Sequence, residues 1–232
     1  MKQYKHVFFD FDNTLWDFTY NSKESLNDVF LKYQLFNYFV DFEDFYEKYE
    51  ENNTNLWNEY RQGLISKESL TFRRFSVILE KFEIPDSRNI SQKINSDYLS
   101  LTTTKTKIID DAYEILNYLK NKYELHILTD GFFEVQVVKL RTSKLSPFIS
   151  NVITAEEIGF LKPSIELFQH ALKSVNATKE ESIMIGDSYE SDIIGAKNAG
   201  IDQIFLNHNN RSDLEIKPTY TVTKLKEIIE IL

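Results

Sequence analysis

A doubly wound α/β fold, with a parallel sheet covered by helices on both faces and an α-helical cap inserted into it, is what this sequence of 232 residues predicts. Three observations lead there. From about residue 108 short apolar runs alternate with helical periodicity, and strands alternating with helices imply a parallel sheet buried on both sides. A further apolar run, Val7-Phe8-Phe9, stands near the start and ends in Asp10 and Asp12. Between these two blocks, residues 22–82 read as helices and contain no convincing strand.

In chain order, VFF is the first strand because it is short, apolar and stops at carboxylates. SLNDVFLKY then places Leu26, Val29, Phe30 and Tyr33 on one helical face, and FEDFYEKYEENNTNLWNEY continues in that style. Gly63 stops a helix and Ser66 caps the next. In the second block DDAYEILNYLKNKY is a helix, ELHILTDG a strand, NVITAEE a strand, SIELFQHALKSV a helix and SIMIGDS a strand. SDIIGAKNAG follows as a helix ended by Gly200, QIFLN as a strand, and TYTVTKLKEIIEIL as a strand leading into a final helix. The expected division is residues 1–16 with 101–232 as core and 17–100 as insertion.

Composition narrows the function. At 42% hydrophobic and 14% aromatic the chain has ample material for a buried core. No apolar stretch approaches the length of a membrane span and the start lacks an export signal, so a cytoplasmic protein without a membrane partner is expected. The absence of Cys removes disulfides and thiolate chemistry, and His6, His126, His170 and His208 show no metal-binding spacing in sequence, so no transition-metal site is expected. A net charge of −9 argues against a nucleic-acid surface.

Open α/β sheets bind ligands at the carboxyl ends of their strands. The residues expected there are Asp10 and Asp12 after VFF, Thr129 and Asp130 after HIL, Lys162 in GFLKP, and Asp187, Ser188 and Asp192 after IMIG. Asp10 and Asp12, if extended, share a face and repel unless a cation lies between them. Carboxylates, a hydroxyl and an ammonium converging on one crevice suit an oxygen-ligated Mg²⁺ with a bound phosphate.

DFDNT, LTDG, KP and GDSYESD, in this order, resemble the four motifs of the haloacid dehalogenase superfamily, and the resemblance covers the whole chain. It implies a Rossmann-like core with a mobile helical cap, Mg²⁺ as cofactor, and a metal held by Asp10, the Asp12 backbone carbonyl and Asp187. Asp12 is the residue that resembles the phosphatases of the superfamily and is absent from its dehalogenases. The same roles follow from chemistry. Asp10, leaving the strand first, is placed to attack phosphorus and form an aspartyl-phosphate, and Asp12 to act as general acid and then base. Thr129, Asp130 and Lys162 are the expected phosphate-binding residues, with Asp192 orienting metal-bound water or Lys162.

NTNLWNEYRQGLISKESLTFRRF and LTDGFFEVQVVKL resemble the pyrimidine 5′-nucleotidase branch of the superfamily. That implies nucleoside monophosphates as substrates, with Arg61, just before Gly63, a candidate contact. A surface pair to Glu59 or Glu68 is the competing reading of Arg61; Phe132 is either a base-pocket or a core residue, and Trp16 and Trp57 are assigned to packing. A sugar-phosphate phosphatase or phosphomutase on the same fold is the alternative function. A phospho-accepting receiver fits poorly, because its phosphoacceptor sits on a later strand and it has no cap. A monomer or homodimer acting on a small phosphate ester is expected.

Overall fold

The strands are β1 (His6–Phe9), β2 (Glu124–Thr129), β3 (Asn151–Thr154), β4 (Ser182–Gly186), β5 (Asp202–Leu206) and β6 (Tyr220–Val222). They pair in parallel in the order β3-β2-β1-β4-β5-β6. Every residue of β1 and β4 is buried, as a sheet covered on both faces requires. From β1 the chain moves outward through β2 to β3, then returns to the other side of β1 as β4. The reversal lies between β1 and β4, and the crevice beyond their carboxyl ends is the switch point where ligands bind in such sheets.

The computed structural model describes residues 3–232, and the chain divides into two compact units, Met1–Phe18 with Thr106–Leu232, and Thr19–Lys105. In the first, one face of the sheet packs Val7, Phe9, Leu125, Ile127, Ile183 and Ile185 against Leu116, Leu140 and Trp16. The other face packs Phe8, Leu128 and Met184 against Leu167, Phe168 and Ala196. Helices α5 (Ala112–Leu119), α6 (Phe133–Thr142), α7 (Ile165–Ser174) and α8 (Ile194–Asn198) belong to this unit.

The second unit carries α1 (Phe18–Lys32), α2 (Phe42–Arg61), α3 (Lys67–Lys81) and α4 (Ser87–Thr104). Asp41 caps α2 by accepting from the Asp44 N–H, and Ser66 caps α3 by accepting from the Ser69 N–H. The α2–α3 turn passes through Gly63 at φ 70°, a conformation that disfavours a Cβ. Leu26, Val29, Phe30, Phe45, Tyr49, Phe75, Leu79, Ile94 and Tyr98 form its core. The last helix extends past residue 100, where the sequence reading had ended the insertion.

Four elements differ from the sequence reading. Residues 133–142, not assigned to any element, form α6, and residues 87–104 form α4. The helix expected from SDIIGAKNAG begins as a π-turn, Tyr189–Ile193, and the terminal helix is 3₁₀ over Leu225–Glu230. His6 and His126, unrelated in sequence, meet at the amino end of the sheet, with His6 Nδ1 3.2 Å from His126 Nε2. Glu124 Oε2 lies 4.0 Å from His6 Nδ1, which makes a group of possible metal ligands. The imidazole centroids are 5.5 Å apart with planes 21° from parallel. The 3.2 Å between the two ring nitrogens is a hydrogen-bond distance.

Candidate active site

β1 stops at Phe9, so Asp10 and Asp12 do not continue a strand, and the premise that they share its face is corrected. Asp10 instead hangs from the central sheet by its N–H, which donates to the Ile185 carbonyl at 2.9 Å. The chain then turns sharply: Leu15 N–H and Trp16 N–H both donate to the Phe11 carbonyl, and Asn13 takes the left-handed conformation at φ 65°. This turn separates the two aspartates into different surroundings.

Asp10 faces Lys162, whose Nζ donates to Asp10 Oδ1 at 2.5 Å and to Asp192 Oδ1 at 2.7 Å. The ammonium also donates to the Leu128 carbonyl at 3.2 Å. Asp192 Oδ2 accepts from the Ser188 N–H at 3.0 Å, so this fully buried carboxylate joins the loop after β4 to Lys162. Gly186 makes that approach possible, because a Cβ there would collide with the Asp192 carboxylate. Thr14 closes the cluster: its hydroxyl donates to Asp187 Oδ1 at 2.9 Å, lies 3.4 Å from Asp10 Oδ2, and accepts from the Asp187 N–H at 3.2 Å.

Burial acts against every charge in this cluster. It pushes the Asp10 carboxyl well above its ordinary value, with Lys162 pulling down and Asp192 and Asp187 pushing up. Burial, reinforced by Asp192 and opposed by the Thr14 hydroxyl, raises Asp187 to about 7. For Lys162 burial favours the neutral amine, but Asp10, Asp192 and Asp130 together outweigh it and raise the pKa.

Asp12 has a separate counter-ion. Lys139 Nζ donates to Asp12 Oδ1 at 2.8 Å and Gln136 Nε2 donates to Asp12 Oδ2 at 2.9 Å. Both come from α6, one turn apart, and both are buried. Lys139 also sits 4.3 Å from the centroid of Trp16 and 5.2 Å from that of Phe18, so its stem and charge are held by aromatic faces. Lys139 is thus a second buried cation beside the aspartates, bonded to Asp12 as Lys162 is to Asp10. Gln136 Nε2 also donates to Thr129 Oγ1 at 2.8 Å, which accepts in addition from the Gly131 N–H at 3.1 Å. With both lone pairs engaged, the Thr129 hydroxyl has its proton free to donate. Gly131 is needed because a Cβ there would strike the Gln136 amide.

The structure thus gathers Asp10, Thr129, Lys162, Asp187 and Asp192, and places Asp12 beside them in its own salt bridge. Asp130 has a different use: its Oδ1 accepts the Lys162 backbone N–H at 2.9 Å and so fixes the loop that carries the lysine. Arg61, in the helical unit, is exposed with Nη1 3.1 Å from Asn58 Oδ1, and Glu59 pairs with Arg73 at 2.6 Å. Phe132 and Trp16 are buried and Trp57 lies edge-on to Tyr60 at 5.7 Å. Thr14, Gln136 and Lys139 were not among the residues singled out from the sequence. Thr14 was readable as the last residue of DFDNT, whereas nothing in FEVQVVKLRT marks its polar residues as inward-facing.

The residues suit a hard divalent cation. Oxygens of Asp10, Asp187 and Asp192 lie within 4.8 Å of one another, and Lys162 is the ammonium bonded to Asp10 and Asp192. Three carboxylates against one ammonium leave a buried excess of two negative charges, which Mg²⁺ would neutralise through oxygen ligands. Asp12's side chain lies outside this group, its carboxylate already engaged by Lys139 and Gln136.

Comparison with known proteins shows the family. The family model of haloacid dehalogenase-like hydrolases matches residues 4–200. The pyrimidine 5′-nucleotidase YjjG of Escherichia coli is 32% identical over 97% of this chain and 96% of its own length. The pyrimidine 5′-nucleotidase PynA of Streptococcus pneumoniae is 30% identical over 99% of this chain and 95% of its own. Among solved structures, the magnesium-bound HAD-hydrolase YfnB of Bacillus subtilis superimposes with a TM-score of 0.88 at 28% identity, covering 100% of this chain and 99% of that one. The four motifs, the switch-point cluster and these matches together make the chain a member of the haloacid dehalogenase-like hydrolases.

Proposed function

We propose that the protein is a Mg²⁺-dependent phosphomonoesterase that works through an aspartyl-phosphate and takes pyrimidine nucleoside 5′-monophosphates as substrates. The observation that carries the reading is the separation of two neighbouring carboxylates by partner: Asp10 against Lys162 and the acidic cluster, Asp12 against Lys139 and Gln136. One is set up as nucleophile and the other as proton carrier.

Asp10 attacks phosphorus while Lys162 and the Thr129 hydroxyl take up the charge developing on the phosphoryl oxygens. Asp12 gives its proton to the departing alkoxide, then removes one from the water that hydrolyses the acyl phosphate. Lys139 and Gln136 hold the Asp12 carboxylate in one place for both transfers. Asp10 and Asp187, with the Asp12 carbonyl, would hold Mg²⁺, and Asp192 holds Lys162 behind them. When bound, Mg²⁺ supplies charge neutralisation at the phosphoryl group. These residues recognise phosphate alone, so choice among monophosphates is assigned to the helical unit.

The matches to two pyrimidine 5′-nucleotidases over nearly their whole length support the substrate class. Release of inorganic phosphate from a panel of nucleotides and sugar phosphates tests it. The expected result is preference for pyrimidine nucleoside 5′-monophosphates over ribose 5-phosphate and triose phosphates. Preference for the sugar phosphates, or an isomerised sugar phosphate as product, would overturn it.

A further inference from the structure

The amino end of the sheet carries nitrogen and oxygen donors that the phosphate site does not use. In a strand, residues two apart share a face, and parallel pairing sets His6 of β1 opposite Glu124 of β2. His126 follows Glu124 by two residues, so His6, Glu124 and His126 lie on one face of neighbouring strands. The pairing of β2 with β3 sets Asn151 opposite His126 on its other side. Only the fold brings these residues together, because His6 and His126 are 120 positions apart in the chain.

The donor atoms converge. His6 Nδ1 lies 3.2 Å from His126 Nε2 and 4.0 Å from Glu124 Oε2, and ligand atoms of the three residues all lie within 4.8 Å of one another. Metal bonds of about 2.0–2.1 Å in a tetrahedron separate two ligand atoms by roughly 3.3 Å, so the histidine nitrogens already have the spacing of two corners of such a shell. Both rings are held in place: His6 and His126 are buried, and the centroid of Phe8 is 5.0 Å from that of His126. Glu124 is the farther donor, and its side chain is 63% exposed, so rotation toward the histidines disturbs no packing. The Asn151 amide lies 3.1 Å from His126 Nδ1. With its oxygen turned to the ring, this amide accepts the Nδ1 proton and leaves the Nε2 lone pair for a metal, the support found behind ligating histidines. The charge of Lys5, beside His6 in the chain, is taken up by Glu181 at 2.8 Å.

The donor set selects the ion. Two imidazole nitrogens and a carboxylate oxygen suit Zn²⁺ with water in the fourth position, whereas Mg²⁺ prefers oxygen ligands. The cluster of Asp10, Asp187 and Asp192 is of the other kind, offering oxygen only. His6 stands four residues before Asp10, roughly 13 Å along an extended chain, so the two sites are separate. We propose that His6, Glu124 and His126 form a Zn²⁺ site that clips β1 to β2 at the end of the sheet remote from the phosphate chemistry. An ion bound there favours the folded chain over the unfolded one, so its effect is on stability. The site does not depend on the nucleotidase reading.

The test is titration calorimetry of the full chain with Zn²⁺ in millimolar Mg²⁺, which competes for the acidic cluster. The expected result is one Zn²⁺ per chain with a Kd at or below ~1 μM in the wild type. Binding should weaken at least ~10-fold in each of His6→Gln, His126→Gln and Glu124→Gln. With Zn²⁺ at about 100 times its Kd, the melting temperature of the wild type should rise by roughly 5 °C and that of each variant by less than about 1 °C. Co²⁺ in place of Zn²⁺ should show the visible absorption of a tetrahedral ion in the wild type and lose it in His126→Gln. Hydrolysis of p-nitrophenyl phosphate in Mg²⁺ should stay within about 2-fold of wild type in all three variants. Glu124→Gln alters an exposed side chain, so it remains a fair test where a histidine variant fails to fold. Absence of Zn²⁺ binding to the wild type, or equal binding by wild type and variants, overturns the site and leaves His6 and His126 as a hydrogen-bonded pair. Zn²⁺ displaced wholly by Mg²⁺ overturns it too, because the ion then sits at the acidic cluster. Glu124→Gln binding as tightly as wild type overturns the three-ligand site as well.

Discussion

In the proposed mechanism Lys139 and Gln136 decide what Asp12 can do. A carboxylate that must first donate and then accept a proton works only if it stays in reach of the same oxygen through both steps, and two donors from one rigid helix provide that. Lys139→Met is therefore expected to depend on the leaving group. Hydrolysis of an alkyl phosphate, whose alkoxide must be protonated as it departs, should fall by about 10²-fold. Hydrolysis of p-nitrophenyl phosphate, whose leaving group is stable unprotonated, should fall much less. Equal losses would place Lys139 in phosphate binding instead. Gly186→Ala makes a second prediction at this scale, because its Cβ must displace Asp192 and, through it, Lys162. A stability loss of about 1–3 kcal/mol by chemical denaturation and slower hydrolysis of every ester are expected together.

Among the elements, α6 was hidden from sequence reading by the polar residues on its buried face. Its buried residues are Gln136, Lys139 and Leu140, so no apolar stripe marks the inward face. α4 was hidden differently, since SRNISQKINSDYLSLTTT is rich in Ser, Thr and Asn, which have poor helix propensity, and follows Pro85. β1, β2 and β4 were legible because each is a short apolar run that ends beside a polar residue of the candidate site. Ser66 was legible as a helix start because a cap is a local device, and Ser66→Ala should cost about 1 kcal/mol of stability.

The pairing of β1 with β2 makes a further prediction that no local pattern showed. His126, fully buried between His6 and Asn151, has its pKa lowered from 6.5 to about 4 by burial and then by His6. The folded-state value lies below the unfolded one, so the unfolded chain takes up the proton more readily. This contribution is fully present above pH 6.5 and is lost as pH falls toward 4. Its ceiling is about 3 kcal/mol. Denaturation midpoints measured across that window should show the loss, and His126→Gln should flatten it. An unchanged slope in the variant would assign the acid sensitivity to other groups.

For the whole molecule, the residues of the α/β unit were legible because the fold delivers strand ends to one place, and their order along the chain sufficed to name Asp10, Thr129, Lys162 and Asp187. Partners that depend on which way a side chain turns were not legible. Asp12 turns toward α6 and Asp130 toward a backbone N–H, and either could have faced the acidic cluster on sequence grounds alone.

The central claim is that Asp10 bonds to phosphorus while Asp12 only carries protons. Asp12→Asn with p-nitrophenyl phosphate tests it most directly, because that leaving group departs without a general acid whereas hydrolysis of the acyl phosphate still needs the base. The expected result is a burst of one nitrophenolate per chain followed by slow turnover, with mass spectrometry finding one phosphoryl group on the peptide that contains Asp10. Asp10→Asn should show neither burst nor label. Steady turnover by Asp12→Asn with no burst, accompanied by retained activity in Asp10→Asn, would contradict the covalent mechanism.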